Sequence, residues 1–474
     1  MAAIQKYGNY MKYVLNKYDV SSLDADLLLY ITKMMLEYID DNILQIIHTD
    51  LYDSMYDYTF EVLSGDYIDT NIFETMYKLS KEDSIKLLND YINMGSTLVS
   101  KYVMPHRSYT RTYIRHVGID VRKIDAKIKK LTDVIQPEQR TDEWYIFRNS
   151  TLTASNIWKV FGTEASQSQL ILEKCEPMNI NKFKVTNTNS PMHWGQKFEP
   201  VSNMYYEYIN NTTVTEFGCI PHPEFSYIAA SPDGIVCDRN SPLYGRMIEI
   251  KNVVSRVITG ISKKEYWVQM QLQMEVCDLN ECDFLETKFL EYDTQEDYEN
   301  DNEIEYKGVM LQYLKDEAPY YVYAPFMLTD LNSAEYKKWY EEQEIANKDM
   351  ELIKTIYWKL VKISCVLVLR NKIWFKKIQP MVEVFWNKLV DERETGKYKL
   401  RLKNKRKYEI EDEKSRSDFP TPGCLVNMDL FKHENNILVN VALPDVEPVN
   451  VKQVKIEPVI TKRALPKGKC LIQL

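Results

Sequence analysis

Two spacings of apolar side chains divide the chain. Over residues 22–100 they return every third or fourth position, with Leu27, Leu28, Ile31, Met34, Met35 and Tyr38 in one stripe and Ile85, Leu87, Leu88, Tyr91 and Ile92 in another. That period places them on one face of a helix. Ser22 and the Ser80/Asp83 pair supply capping chemistry where the stripes begin. The pattern predicts an all-α N-terminal domain over residues 1–100. Further on, the period shortens to two. Met-Ile-Glu-Ile-Lys at 247–251 sends Ile248 and Ile250 to one side of a strand and Glu249 and Lys251 to the other, so one face is core and the other is free for chemistry. Residues 266–276 form an amphipathic helix carrying glutamines, and 284–292, 306–314 and 320–324 read as strands around an acidic loop at 293–305. Residues 332–362 read as one long amphipathic helix, 364–369 as a short apolar strand, and 373–390 as a helix rich in Trp374, Phe375, Phe385 and Trp386. Mixed strands and helices predict an α/β domain over 136–394.

Charge adds two basic segments to this outline. Arg107, Arg111 and Arg115 recur every four residues with Tyr109 and Tyr113 between them, which on a helix puts the three arginines on one face. Such a face is either solvated or a stripe that tracks nucleic-acid phosphates. Gly118 and the charged run after it mark residues 101–135 as a basic helix and linker. Residues 395–474 form a basic, partly ordered extension, in which Lys403-Asn404-Lys405-Arg406-Lys407 has the make-up of a nuclear-import peptide. The total charge is −9, yet nucleic-acid binding depends on local clustering rather than on the sum. Eight cysteines occur without a Cys-x-x-Cys pair, which argues against a zinc ribbon and a disulfide scaffold and for reduced thiols inside a cell. The N-terminus lacks an apolar leader, and no run approaches eighteen apolar residues, so neither export nor a membrane span is expected. With 474 residues, 45% hydrophobic, the chain can bury at least one large core.

The chemistry concentrates in residues 230–276. Asp233 sits in a Pro-Asp-Gly turn ahead of Ile235-Val236, and a return through 237–246 would bring it beside Glu249 as a hairpin. Two carboxylates and the Lys251 amine would converge there. Oxygen donors of this kind suit Mg²⁺ or Mn²⁺. Each motif alone is common. In order, however, the Asp-Gly turn, the Glu-hydrophobic-Lys strand and the glutamine helix resemble the core of the PD-(D/E)XK nucleases, here the lambda exonuclease and YqaJ-type branch that includes alkaline nucleases of large DNA viruses. Two upstream blocks extend the resemblance: Trp144, Arg148 and Leu-Thr-Ala-Ser at 152–155, and His193-Trp194-Gly195-Gln196-Lys197-Phe198-Glu199.

That resemblance implies a restriction-endonuclease-like α/β fold, with a central mixed sheet flanked by helices, and a metal-dependent exonuclease resecting double-stranded DNA ends 5′ to 3′. A single-strand-annealing protein would be its partner, and the setting would be intracellular, in the host nucleus before the cytoplasm. Asp233, Glu249, the Ile250 carbonyl and Glu199 would hold the metal, in all two ions. Lys251 would orient and help deprotonate the attacking water, its amine held down by burial and by the metal, with Gln269 rather than Gln273 supporting it. Arg148 and Ser155 would grip a terminal 5′ phosphate, an ion pair of Arg148 with Asp142 being the structural alternative. A silent nucleic-acid-binding relative, an endonuclease and an RNA-degrading nuclease remain open, as does the oligomeric state.

Overall fold

The computed structural model describes residues 22–110, 120–176, 188, 190–315 and 318–401. The N-terminal helices are α1 (Ser22–Asn42), α2 (Leu51–Leu63), α3 (Ile72–Tyr77) and α4 (Lys81–Tyr102). Ser80 caps α4 by accepting from the Asp83 amide at 3.1 Å. Leu28, Ile31 and Met35 of α1 bury against Leu88, Ile92 and Val99 of α4. The two helices approach so closely that a Cβ at Gly95 would lie 2.8 Å from Ile31.

The core of this helical layer is continuous with that of the α/β part, reaching Trp267 and Trp374 there. Arg107 is one of the joints: it is 5% exposed, and its guanidinium donates to the Ile46 and Ile47 carbonyls at 3.0 and 3.1 Å. Its own carbonyl accepts from Trp267 Nε1 at 3.1 Å. The expected phosphate-tracking role of Arg107 is therefore corrected, because its donors are spent on carbonyls in the core. Arg111 and Arg115 lie outside the described residues, as does the 403–407 peptide. The basic run expected as a linker is in part a helix, α5 (Val121–Asp133), capped by Asp120.

Next come α6 (Asp142–Ser150), β1 (Leu152–Thr153), α7 (Glu164–Cys175), α8 (Pro191–Asn210), β2 (Val214–Thr215), β3 (Ile220–Pro221), β4 (Ile228–Ala230), β5 (Gly234–Val236) and β6 (Met247–Asn252). The remainder comprises α9 (Lys264–Val276), β7 (Glu281–Glu291), α10 (Gln295–Asn300), β8 (Lys307–Lys315), β9 (Ala318–Tyr323), α11 (Ala334–Ala346), β10 (Glu351–Leu369) and α12 (Lys372–Thr395). Among the described residues, seven strands form a mixed sheet in the order β2-β5-β6-β7-β10-β8-β9, with β6 and β7 parallel and joined through α9. A smaller sheet has the order β1-β4-β3. On one face of the large sheet, Phe198 and Val201 of α8 pack on Ile248, Ile250 and Phe289. On the other, Trp267 and Val268 of α9 pack with Met247 and Phe284. The alternation along β6 thus turns Ile248 and Ile250 to α8 and Glu249 and Lys251 to α9.

The helix expected over 332–362 is corrected. It ends at Ala346, and from Glu351 the chain is a nineteen-residue strand that absorbs the short strand expected at 364–369. Ile356, Trp358 and Leu360 are buried at alternate positions, so the two-residue period governs there, and the β-branched residues favour it. Within the acidic stretch, α10 forms because Thr294 caps it, accepting from the Asp297 amide at 3.1 Å. Among the described residues, no helix is long and apolar enough to cross a membrane.

Candidate active site

The β5–β6 hairpin builds the centre. Gly234 pairs with Ile248, which sets Asp233 at the mouth of the hairpin beside Glu249. Asp233 Oδ2 accepts from the Ile250 amide at 2.7 Å. Glu249 is fully buried, yet both its oxygens are engaged: Oε1 by Lys251 Nζ and Oε2 by Gln273 Nε2 at 2.7 Å. Gln273 also donates to the Ser231 carbonyl at 3.2 Å, clamping the Asp233 turn to β6. Gln269 lies one turn earlier on the same face of α9 and lines the cavity beside Asp233. The glutamine that bonds Glu249 is thus Gln273, which sequence reasoning set aside. Gln271 points away, donating to the Leu369 carbonyl and accepting from the Asn371 amide.

Glu199 arrives from α8, whose start is fixed by Pro191 and by Ser190 accepting from the His193 amide at 3.1 Å. Its Oε2 is 3.2 Å from Arg140 Nη2. His193 is buried against the Tyr321 hydroxyl at 2.6 Å, and His222 accepts from the Glu224 and Phe225 amides. Both histidines have structural partners.

The close approach of acidic groups and their burial perturb Asp233 and Glu199. Burial and the charge of Glu249 push the Asp233 carboxyl well above its ordinary range, against the pull of Lys251. Burial also raises Glu199, with Arg140 and Lys251 opposing. For Lys251, burial disfavours the charge, but Glu249 and Asp233 outweigh it and hold the ammonium above its ordinary value. Without a cation, two acidic neighbours favour the charged form, whereas the lowered amine expected from the sequence belongs to a site that also holds a metal. The Tyr266 ring lies 5.1 Å from the ammonium.

Among the described residues, no three His, Cys, Asp or Glu side chains form a ready metal cage. The donors do fit Mg²⁺ or Mn²⁺ chemically: Glu199, Asp233 and Glu249 offer hard carboxylate oxygens. The buried Gln273 Oε1 beside them has no hydrogen-bond partner.

A cationic cluster shares the cavity of about 790 Å³ that Glu199, Asp233 and Gln269 line. Thr141 caps α6, and Arg148 in its last turn lies over the Trp144 ring at 4.2 Å. Arg148 Nη2 donates to Ser155 Oγ at 3.0 Å. The two residues expected to grip a phosphate are therefore side by side in the cavity wall. Burial draws the Arg148 guanidinium below its ordinary pKa. Lys174 supports it from α7, donating to the Arg148 carbonyl at 2.5 Å, and burial lowers that amine to about 8. On β7, buried Glu286 stands in register with Lys251 and pairs with Arg256. Sequence reasoning weighed Gln273 but preferred Gln269, and it missed Lys174, Arg140 and Arg256. Only Gln273 had a local signal, four residues from Gln269 and hence on the same helical face.

Residues 143–280 match the YqaJ-like viral recombinase domain, a span that holds every motif on which the resemblance rests. An uncharacterized protein of Acanthamoeba polyphaga mimivirus is 31% identical over 337 residues, covering 60% of this chain and 57% of that protein. The chain thus spans little more than half the length of this curated relative. Among solved structures, an alkaline exonuclease from Laribacter hongkongensis aligns over 55% of this chain and 98% of its own at 23% identity and a TM-score of 0.32. A phage-related exonuclease from Haemophilus somnus aligns over 51% and 96% at 14% identity and a TM-score of 0.28.

Proposed function

We propose that this chain, which carries the YqaJ-like viral recombinase domain at residues 143–280, is a metal-dependent deoxyribonuclease that resects duplex DNA from its 5′ ends. The observation that supports this most is a single cavity lined by Asp233 and Glu199 as well as by the Arg148–Ser155 pair. Carboxylates alone would suit many hydrolases. Joined to a guanidinium and a hydroxyl in the cavity wall, they suit a substrate that is a chain of phosphates with a charged end.

Asp233, Glu249, the Ile250 carbonyl and Glu199 would hold one or two Mg²⁺ or Mn²⁺ ions, which when bound supply an acidified water and charge for the transition state. Gln273 holds the Glu249 carboxylate in place by donating to its Oε2. Lys251 orients the attacking water and stabilises the charge that develops as it loses its proton. Arg148 grips two oxygens of the terminal phosphate while Ser155 fixes the guanidinium, so the scissile bond is placed by the strand's own end. The 3′ strand left behind is what a single-strand-annealing protein takes up in recombination.

The test uses linear duplex labelled at either 5′ or 3′ ends, with 5′-phosphoryl or 5′-hydroxyl termini, beside nicked circles, closed circles and RNA. Early release of the 5′ label, faster from phosphorylated ends, is expected. Equal rates on both termini with cutting of closed circles would replace this reading by an endonuclease, and faster loss of RNA by a ribonuclease.

A further inference from the structure

The loop between α5 and α6 delivers one more cation to the cavity. Its backbone is tied down on both sides of that residue. Gln136 Oε1 accepts from the Gly218 amide at 2.7 Å, the Pro137 carbonyl accepts from the Cys219 amide at 3.2 Å, and Gln139 donates to the Phe217 carbonyl at 2.8 Å. Thr141 is committed as the cap of α6. Between these anchors Arg140 is held at φ 69°, in the left-handed region that residues other than Gly, Asn and Asp seldom enter. Its side chain, half exposed, reaches into the cavity and sets Nη2 3.2 Å from Glu199 Oε2.

Glu199 is a carboxylate that the reaction proposed above needs for a cation. An oxygen in a guanidinium pair is only partly available to a metal ion, so Arg140 and the cation compete for it. The competition is mild, because an ion pair with one exposed partner holds weakly. Once displaced, the guanidinium stays in the cavity on its fixed backbone, with donors that match phosphate oxygens. We propose that Arg140 is a transferable guanidinium, paired with Glu199 while that carboxylate has no metal and passed to a backbone phosphate of the bound strand once a divalent cation takes Glu199. This inference rests on the nuclease reading. It gives the substrate a phosphate contact besides the one made by Arg148, and it makes cation binding and strand binding support each other.

The experiment compares the full chain with Arg140→Gly, which removes the guanidinium and relaxes the left-handed backbone, and with Arg140→Lys, which keeps a charge without the fork. Mn²⁺ binding is read by electron paramagnetic resonance of the free ion. Duplex affinity is read as a function of salt in Ca²⁺, and thermal midpoints verify folding. Arg140→Gly is expected to bind Mn²⁺ about two- to five-fold more tightly. It should bind duplex about ten-fold more weakly, with the slope of log affinity against log salt shallower by about 0.9. Arg140→Lys should keep most of the slope. A parent that binds both ligands, with Arg140→Gly unchanged in either the salt slope or the Mn²⁺ affinity, overturns the transfer and leaves the nuclease reading standing. A parent that binds neither Mn²⁺ nor duplex removes both.

Discussion

Replacing Lys251 by Met keeps the aliphatic stem and deletes the ammonium that touches Glu249. Glu249 is fully buried, and Gln273 at 2.7 Å would be its remaining donor. Removing one partner of a buried ion pair costs about 3–5 kcal/mol when nothing else takes up the charge. Here Lys251 retains 24% side-chain exposure and Gln273 stays, so the expected loss is about 2–3 kcal/mol. Glu249→Gln should cost less, since the freed ammonium can turn toward water and Asp233. The double variant leaves no buried charge at the pair and should be more stable than the sum of the single effects predicts by about 2 kcal/mol. Urea unfolding followed by tryptophan fluorescence, in EDTA, measures all four corners of this cycle. Repeating it in Mg²⁺ should shrink the cost of Lys251→Met, because a cation at Glu249 replaces the missing charge. Additivity within about 0.5 kcal/mol would refute the pairing. Both single variants should lose cleavage.

Three other outcomes are expected. Gln273→Leu strips a donor from buried Glu249 and should destabilise by about 1–3 kcal/mol, whereas Gln269→Leu, at the cavity wall, should change urea stability by less than about 0.5 kcal/mol while still slowing cleavage. Arg148→Ala should erase most of the preference for 5′-phosphoryl over 5′-hydroxyl ends in paired rate measurements, and Arg148→Lys should restore part of it. Burial holds the His222 imidazole below its ordinary pKa, with Nδ1 accepting two amides at 3.1 Å. The folded value lies below the unfolded one, so the unfolded chain takes the extra proton and stability falls as pH drops below about 6.5, with a slope up to about 1.4 kcal/mol per pH unit. His222→Asn, which keeps an acceptor, should flatten that loss in urea midpoints taken at pH 7.5 and 5.5.

The strand period made Glu249 and Lys251 legible as neighbours on one face, and the Pro-Asp-Gly turn made Asp233 legible as their partner, because a hairpin allows few other returns. Arg148 and Ser155 were legible only through the family's order of blocks, as nothing in their spacing of seven says that the two side chains touch. Choosing Gln269 over Gln273 failed to find the Glu249 contact because both lie on one helical face, and the depth of β6 beneath α9 decides which reaches it. Arg107 misled for a related reason. Its four-residue spacing to Arg111 fits a helix face, but the carbonyls at Ile46 and Ile47 that claim it are sixty residues away in sequence. The same holds for Lys174 and Arg140, whose partners come from other elements. At 351–362 a helical period and a strand period were both present, and pairing with β7 and β8 selected the strand.

Whether Asp233, Glu249 and Lys251 cut phosphodiester bonds with a divalent cation can be decided in one set of reactions. Purified full chain and Glu249→Gln are incubated with 5′-phosphorylated linear duplex, in Mg²⁺ and in EDTA. The parent is expected to release nucleotides in Mg²⁺ alone, and Glu249→Gln no more than a trace even though that variant stays folded. Full activity in EDTA, or equal rates for parent and variant, would contradict this assignment.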